Sequence, residues 1–292
     1  MSWRERTNTV LSRTTGYHLT RSSRRRPSDA EARLRAATER METAAHSLEQ
    51  AARRIKAAEP KPPAKPAREF PADYDPEYRE IMRAVRPYTM TGNDKLHALI
   101  TATRYIHRYQ IPGSVVECGV WRGGSMHAVA RTLDQLGDHA RDLYLYDTFE
   151  GMTEPTDKDL RYDGESASHI LAGADKQSWV WARASLEDVQ AGFETVPYPS
   201  ERLQFIKGPI EETVPAEMPD EIAILRLDTD WYESTVHELE HLYPRLVSGG
   251  VLFIDDYGHW QGSRQATEEF LDRTGERLLL LRADSGRVAL KP

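Results

Sequence analysis

Short apolar runs alternate with helical patterns from Ser114 to Leu290, and that alternation restricts the chain to few folds. "SVVEC" (Ser114–Cys118), "LYLYD" (Leu143–Asp147), "LQFIKG" (Leu203–Gly208), "AILRLD" (Ala223–Asp228) and "VLFIDD" (Val251–Asp256) read as buried strands. Asn93 or Asp94 is placed to cap a helix presenting Leu96, Leu99, Thr103 and Ile106. A second helix turns Met126, Val129, Leu133 and Leu136 inward and stops at Gly137. The helix between the last two strands is expected to start at a Thr235–Glu238 capping box and to end at Ser248-Gly249-Gly250. "RLLLLRADSGRVAL" (Arg277–Leu290) predicts a β-hairpin turning at Asp284–Gly286. The fold class that follows is α/β, a doubly wound, mostly parallel sheet with a C-terminal antiparallel hairpin and an N-terminal helical tail.

The tail differs from the rest. Residues 1–70 carry 16 Lys+Arg against 8 Asp+Glu, whereas the remainder carries 23 against 38. So acidic a body makes a poor nucleic-acid binder, and no apolar run approaches the ~20 residues of a membrane span. One cysteine, Cys118, excludes an internal disulfide and suits a reducing cytoplasm. Residues 1–27 lack a hydrophobic period and are expected to be disordered; their Arg- and Ser-rich composition leaves a transit peptide as the alternative. Over residues 28–58, Leu34, Met41, Leu48 and Ile55 recur every seventh position, each followed three residues on by Ala37, Ala44, Ala51 and Ala58. That is a heptad seam, expected to pair with another copy or a protein partner; a solvated lone helix is the alternative. Residues 59–71, "EPKPPAKPAREFP", form a stiff linker, and a single domain occupies 72–292.

Ligands of such a sheet bind beyond the carboxyl ends of its strands. "ECGVWRGGS" (Glu117–Ser125) is a glycine turn there, though a plain strand-to-helix turn reads the same. Asp147, thirty residues after Glu117, is placed to bind ribose hydroxyls. No phosphate-binding loop and no compensating cation is evident, and Glu117 would repel a pyrophosphate, which favours S-adenosylmethionine (SAM) over a nicotinamide dinucleotide. Asp228, Asp230, Asp255 and Asp256 cluster on the same rim. At ~4 Å and an effective dielectric near 20, each like-charged pair costs about 4 kcal/mol. A hard divalent cation removes that cost, and oxygen ligands select magnesium, calcium or manganese. Turn capping or solvation is the plain alternative for Asp230 and Asp256.

"YTMTG", "VVECGVWRGGSM", "DLYLYDTFEGM", "SLEDV", "RLDTDWYEST" and "GGVLFIDDYGHWQGSR" together resemble the macrocin O-methyltransferase family over Tyr74–Pro292. The resemblance implies a SAM- and magnesium-dependent enzyme that methylates hydroxyls of sugars or glycosylated natural products in antibiotic tailoring. It implies that Thr89 and Met90 line the SAM pocket, with Glu117, Gly119, Val120, Trp121 and Gly123 near the methionine part. Asp147 would hold the ribose with Thr148 and Phe149 beside it, and Ser185 would approach the adenine. Asp228, Asp255 and Asp256 would bind magnesium, and Asp230 would be the general base. The acceptor would meet Tyr257, His259, Trp260 and the loop Thr153–Trp181, and the catalytic domain would form a homo-oligomer. The competing reading of another class is a SAM-binding domain without turnover, serving assembly.

Overall fold

The computed structural model describes residues 29–58, 69–176 and 178–292. The segment 1–27 and most of the linker 59–71 lie outside the described residues. The chain divides into two units, Met1–Ala67 and Arg68–Pro292.

In the first unit a 30-residue helix, α1 (Asp29–Ala58), carries the heptad seam. Leu34, Met41 and Leu48 are 69%, 73% and 71% exposed. These three large side chains of the seam stand unburied on a segment whose stability packing would normally supply.

The second unit is built on seven strands: β1 (Ser114–Cys118), β2 (Leu143–Asp147), β3 (Leu203–Lys207), β4 (Ile222–Leu227), β5 (Leu246–Ile254), β6 (Leu281–Ala283) and β7 (Gly286–Leu290). Their order is β3-β2-β1-β4-β5-β7-β6, with β1 to β5 parallel and β7 antiparallel to both neighbours. Side chains alternate across this sheet as the pleat requires. Val115, Leu143, Leu145 and Phe253 pack with α3 (Asn93–Arg108), α4 (Gly124–Gln135) and α6 (Leu186–Phe193). Val116, Tyr146, Leu225 and Leu252 pack on the other face with α8 (Tyr232–His241) and α9 (Gln261–Thr274). A further helix, α2 (Pro76–Val85), buries Tyr78, Ile81, Met82 and Val85 against Leu96 and Ile100 of α3. The remaining short helices are α5 (Ala167–Gly173) and α7 (Ile210–Thr213).

The expected sheet and hairpin are present, but several boundaries differ for local reasons. The N-cap of α3 is Gly92, because Asn93 Oδ1 accepts from Arg86 (2.5 Å) and Asp94 accepts from the Tyr74 hydroxyl (2.7 Å). Thr235 and Glu238 form no capping box. Thr235 lies inside α8 and donates to Trp231 O (2.7 Å), and Glu238 accepts from Thr229 (2.9 Å). The first amide of α8, Tyr232 N–H, which has no partner within the helix, instead donates to Asp159 (2.7 Å), a buried carboxylate from a distant loop. Ser248-Gly249-Gly250 belongs to β5, where Gly249 N–H and Gly250 O exchange bonds with Lys291. Gly208 lies beyond β3, and Arg277–Leu280 precede the hairpin strand.

Candidate active site

A cavity of about 350 Å³ crosses the carboxyl ends of the parallel strands. Sheet order gives it direction. Asp147, Thr148 and Gly208 lie at the β2–β3 end, Gly119 and Asp228 at the centre, and Asp255, His259 and Asp284 toward β5 and the hairpin.

The centre is a cluster of buried charge. Asp228, Asp255 and Asp256 each bring a carboxylate oxygen within 4.8 Å of the others. Two cations of the chain lie among them, which corrects the expectation that no compensating cation accompanies Glu117. Arg226, nearly inaccessible in β4, spreads its guanidinium over Glu117, Asp228 (2.5 Å) and Asp255 (2.6 Å). Lys95, in the first turn of α3, bonds Asp255 through both its side chain and its backbone oxygen. An arginine in the otherwise apolar run "AILRLD" was the available sign. Lys95 gave none, since a lysine near a helix start is ordinarily solvated.

Two cations do not neutralise four acids. Burial, then repulsion from neighbouring acids, pushes Asp228 and Asp256 well above the usual carboxylate range despite the cations nearby. Burial also acts to raise Asp255, but Arg226 and then Lys95 outweigh it and hold that carboxyl low. Glu117 is pushed up to about 7 by burial, against the pull of Arg226. Asp256 Oδ2 and Glu117 Oε2 are buried without a hydrogen-bond partner among the described residues. Unpaired buried carboxylate oxygens are costly and ask for a cationic ligand.

Asp230 stands beside this cluster with φ 71°, a left-handed conformation that Asp tolerates better than most residues. Its Oδ1 accepts from the Trp260 indole N–H (2.6 Å). Burial, followed by the Asp228 charge, raises its carboxyl to about 7, while the Trp260 bond opposes the shift. Trp260 is held edge-on by Trp231 at 5.1 Å, so the hydrogen-bond partner of Asp230 is braced from behind.

The glycine turn is shaped by close approach. A Cβ on Gly119, at φ 82°, would lie 2.1 Å from Asp228 O, so only glycine lets the β1 and β4 loops meet. Asp147 organises the same turn: Oδ2 accepts from the Val120 and Trp121 amides (both 2.9 Å) and Oδ1 from the Phe149 amide (2.7 Å). Burial raises the Asp147 carboxyl, and these three bonds oppose it.

Of the expected residues, Met90, Gly119, Trp121, Asp147, Thr148, Asp228, Asp230, Asp255 and Asp256 line the cavity. The others stand behind it. Glu117 is buried against Arg226; Val120 and Phe149 are core; Gly123 packs on Phe193; Thr89 packs where α4 begins. Ser185 caps α6 by accepting from the Asp188 amide (3.2 Å), and Ala182 takes its place on the wall. The hairpin tip, Asp284–Ser285, reaches the cavity as well, a return that a turn signal does not reveal.

This sheet order, a glycine turn after β1 and a cavity over the strand ends define the class I SAM-dependent methyltransferase fold. The O-methyltransferase NovP has a similar structure, with TM-score 0.61 and 27% identity over 70% of this chain and 82% of that one. The chain belongs to the macrocin-O-methyltransferase (TylF) family, whose model matches residues 20–288, starting well before the Tyr74 at which the motif resemblance begins. It is 35% identical over 188 residues to 8-demethyl-8-(2,3-dimethoxy-alpha-L-rhamnosyl)-tetracenomycin-C 4'-O-methyltransferase of Streptomyces olivaceus, covering 64% of this chain and 69% of that protein. It is 34% identical over 188 residues to mycinamicin III 3''-O-methyltransferase of Micromonospora griseorubida, covering 64% and 72%. The chain is thus a SAM-dependent O-methyltransferase, and the expectation of family, fold class and enzyme type holds.

Proposed function

We propose that the enzyme methylates a hydroxyl of a glycosylated natural product, with Asp230 as general base and a hard divalent cation held by Asp228, Asp255 and Asp256. The observation that carries this reading is the oxygen-only triad, with Asp256 Oδ2 unpartnered among the described residues, beside a carboxyl raised to about 7. All-oxygen donors fit magnesium. When bound, the metal polarises the acceptor hydroxyl and SAM supplies the methyl group. The protein's own residues do the rest. Asp230 Oδ1 is fixed by Trp260, leaving Oδ2 to accept the hydroxyl proton as the ether C–O bond forms and the methyl–sulfur bond of SAM breaks, with S-adenosylhomocysteine leaving. Arg226 and Lys95 keep Asp255 ionised in a site where burial favours neutral carboxyls. Asp147 Oδ1 accepts the Phe149 amide, and the Thr148 hydroxyl at 3.4 Å donates more closely to Gly151 O (2.7 Å), which keeps an Oδ1 lone pair for a ribose hydroxyl. Glu117, buried behind the wall, acts in this reading by holding the Arg226 guanidinium in place rather than by touching the cofactor. Thr89, Val120, Gly123, Phe149 and Ser185 act in this reading through packing and capping, whereas Met90, Gly119, Trp121 and Thr148 meet the cofactor.

Chelation tests the metal. In excess EDTA, methyl transfer to a deoxysugar glycoside, followed by mass spectrometry, should vanish while SAM binding by calorimetry persists. Undiminished transfer would remove the metal from the mechanism.

The tail has a separate role in this reading. The exposed Leu34, Met41 and Leu48 mark α1 as a self-association or partner-docking helix, with the catalytic unit forming its own homo-oligomer. A chain starting at Arg68 should keep its turnover number and lose only an assembly that light scattering or a pull-down detects with the full chain. Loss of turnover would place the tail in the active site instead. No helix among the described residues is long and apolar enough to cross a membrane, and the lone buried cysteine suits the cytoplasm we assign to the reaction.

A further inference from the structure

His259 has two sides. One lines the active-site cavity, and the other lines an open groove of about 460 Å³ on the outer surface. Tyr162 stands on one wall of that groove, with Tyr257 and the α9 residues Arg264 and Gln265 on the other. Backbone bonds stitch the walls together. Tyr162 N–H donates to His259 O (2.9 Å), Gln261 N–H to Leu160 O (2.7 Å), and Arg161 forms a β-bridge with Trp260. The groove is therefore a built feature rather than a gap between unconnected loops.

Its chemistry is aromatic, and the charges that line it are paired. Tyr162, 68% exposed, meets His259 edge-on at 6.1 Å, and His259 meets Trp260 edge-on at 4.9 Å. Trp260 in turn bonds Asp230, so aromatic rings run without a break from the groove to the proposed base. Arg264 pairs with Glu268 (2.8 Å) and Arg161 with Asp163 and Glu165 (both 2.6 Å), while Arg287 stacks on the Tyr257 ring at 4.5 Å and donates to Ser285 O and Gly286 O. Glu268 also accepts from the Tyr257 hydroxyl (2.8 Å). Paired charges and exposed ring edges suit a neutral ring with an apolar face and offer little to a diphosphate.

Resting on the glycoside reading above, we infer that this groove is the subsite for the ring attached to the sugar being methylated, a neutral second sugar or aglycone. The methylated sugar lies in the cavity, and its glycosidic bond passes His259.

The test is calorimetric binding to the full-length enzyme loaded with S-adenosylhomocysteine and magnesium. Methyl α-L-rhamnopyranoside supplies the reacting ring alone, and its 4-nitrophenyl counterpart adds a ring for the groove. The aryl glycoside should bind about tenfold tighter, within the range of one aromatic contact. Tyr162→Ala should erase that margin and leave the methyl glycoside unchanged. Gln265→Trp, filling the groove from α9, should do the same by exclusion. A methyl disaccharide showing the same margin assigns a second sugar, and a margin confined to the aryl probe assigns an aglycone. No aryl advantage, or one that survives both variants, overturns the inference. Failure of the glycoside reading looks different: neither glycoside binds or is methylated, and the inference falls with it.

Discussion

Asp230→Asn is expected to lower turnover by about 10²–10⁴-fold, the usual worth of a general base. Asparagine is nearly isosteric, accepts the left-handed φ of 71°, and offers its own oxygen to the Trp260 indole. What it lacks is the lone pair that takes a proton. SAM and metal affinity should therefore change little, since neither the triad nor the glycine turn is touched. Turnover measured at saturating acceptor, beside calorimetric titrations of SAM and magnesium, separates these effects. If the variant turns over normally, the base lies elsewhere on the rim.

Arg226→Met should be the most damaging single change to stability. It leaves Glu117, Asp228 and Asp255 buried together with only Lys95 to offset them, and removing one partner from a buried ion cluster costs about 3–5 kcal/mol. The deficit should depend on pH with a definite sign. A carboxyl whose folded pKa lies above its ordinary value penalises folding fully above the folded value, and the penalty fades as pH falls toward the ordinary one. Glu117 already sits at about 7, against an ordinary 4.5, and losing its cation raises it further. Denaturant unfolding of both proteins at pH 8 and pH 5 should show the gap between them narrowing in acid. A gap that is small, or equal at both pH values, would mean that the carboxylates do not rely on Arg226.

These two residues also differ in how far they were readable. Asp230 follows a strand and a ligand candidate by two positions, and that spacing alone put it on the rim. Arg226 looked like an interruption in an apolar run. Its meaning depends on β4 lying between β1 and β5, which brings Glu117 and Asp255 to either side of one guanidinium. Asp147 shows the converse. Its place at the end of β2 was legible, but its three amide bonds, from residues 120, 121 and 149, exist only once the glycine turn has folded over it.

What the amino-acid order determined by itself is local or periodic. Apolar runs of strand length, their alternation with amphipathic helices, the glycines after β1 and the acids at strand ends are properties of neighbouring residues. They suffice for a parallel α/β sheet with its site on the carboxyl rim. The tertiary structure alone decided which distant groups meet. Asp159 caps α8 across 73 positions of chain, Lys95 reaches Asp255 across 160, and the hairpin tip at Asp284 returns to the cavity wall. Such encounters leave no periodic trace, because a charge or hydrogen bond acts over a few ångströms of space, whatever the length of chain between its partners.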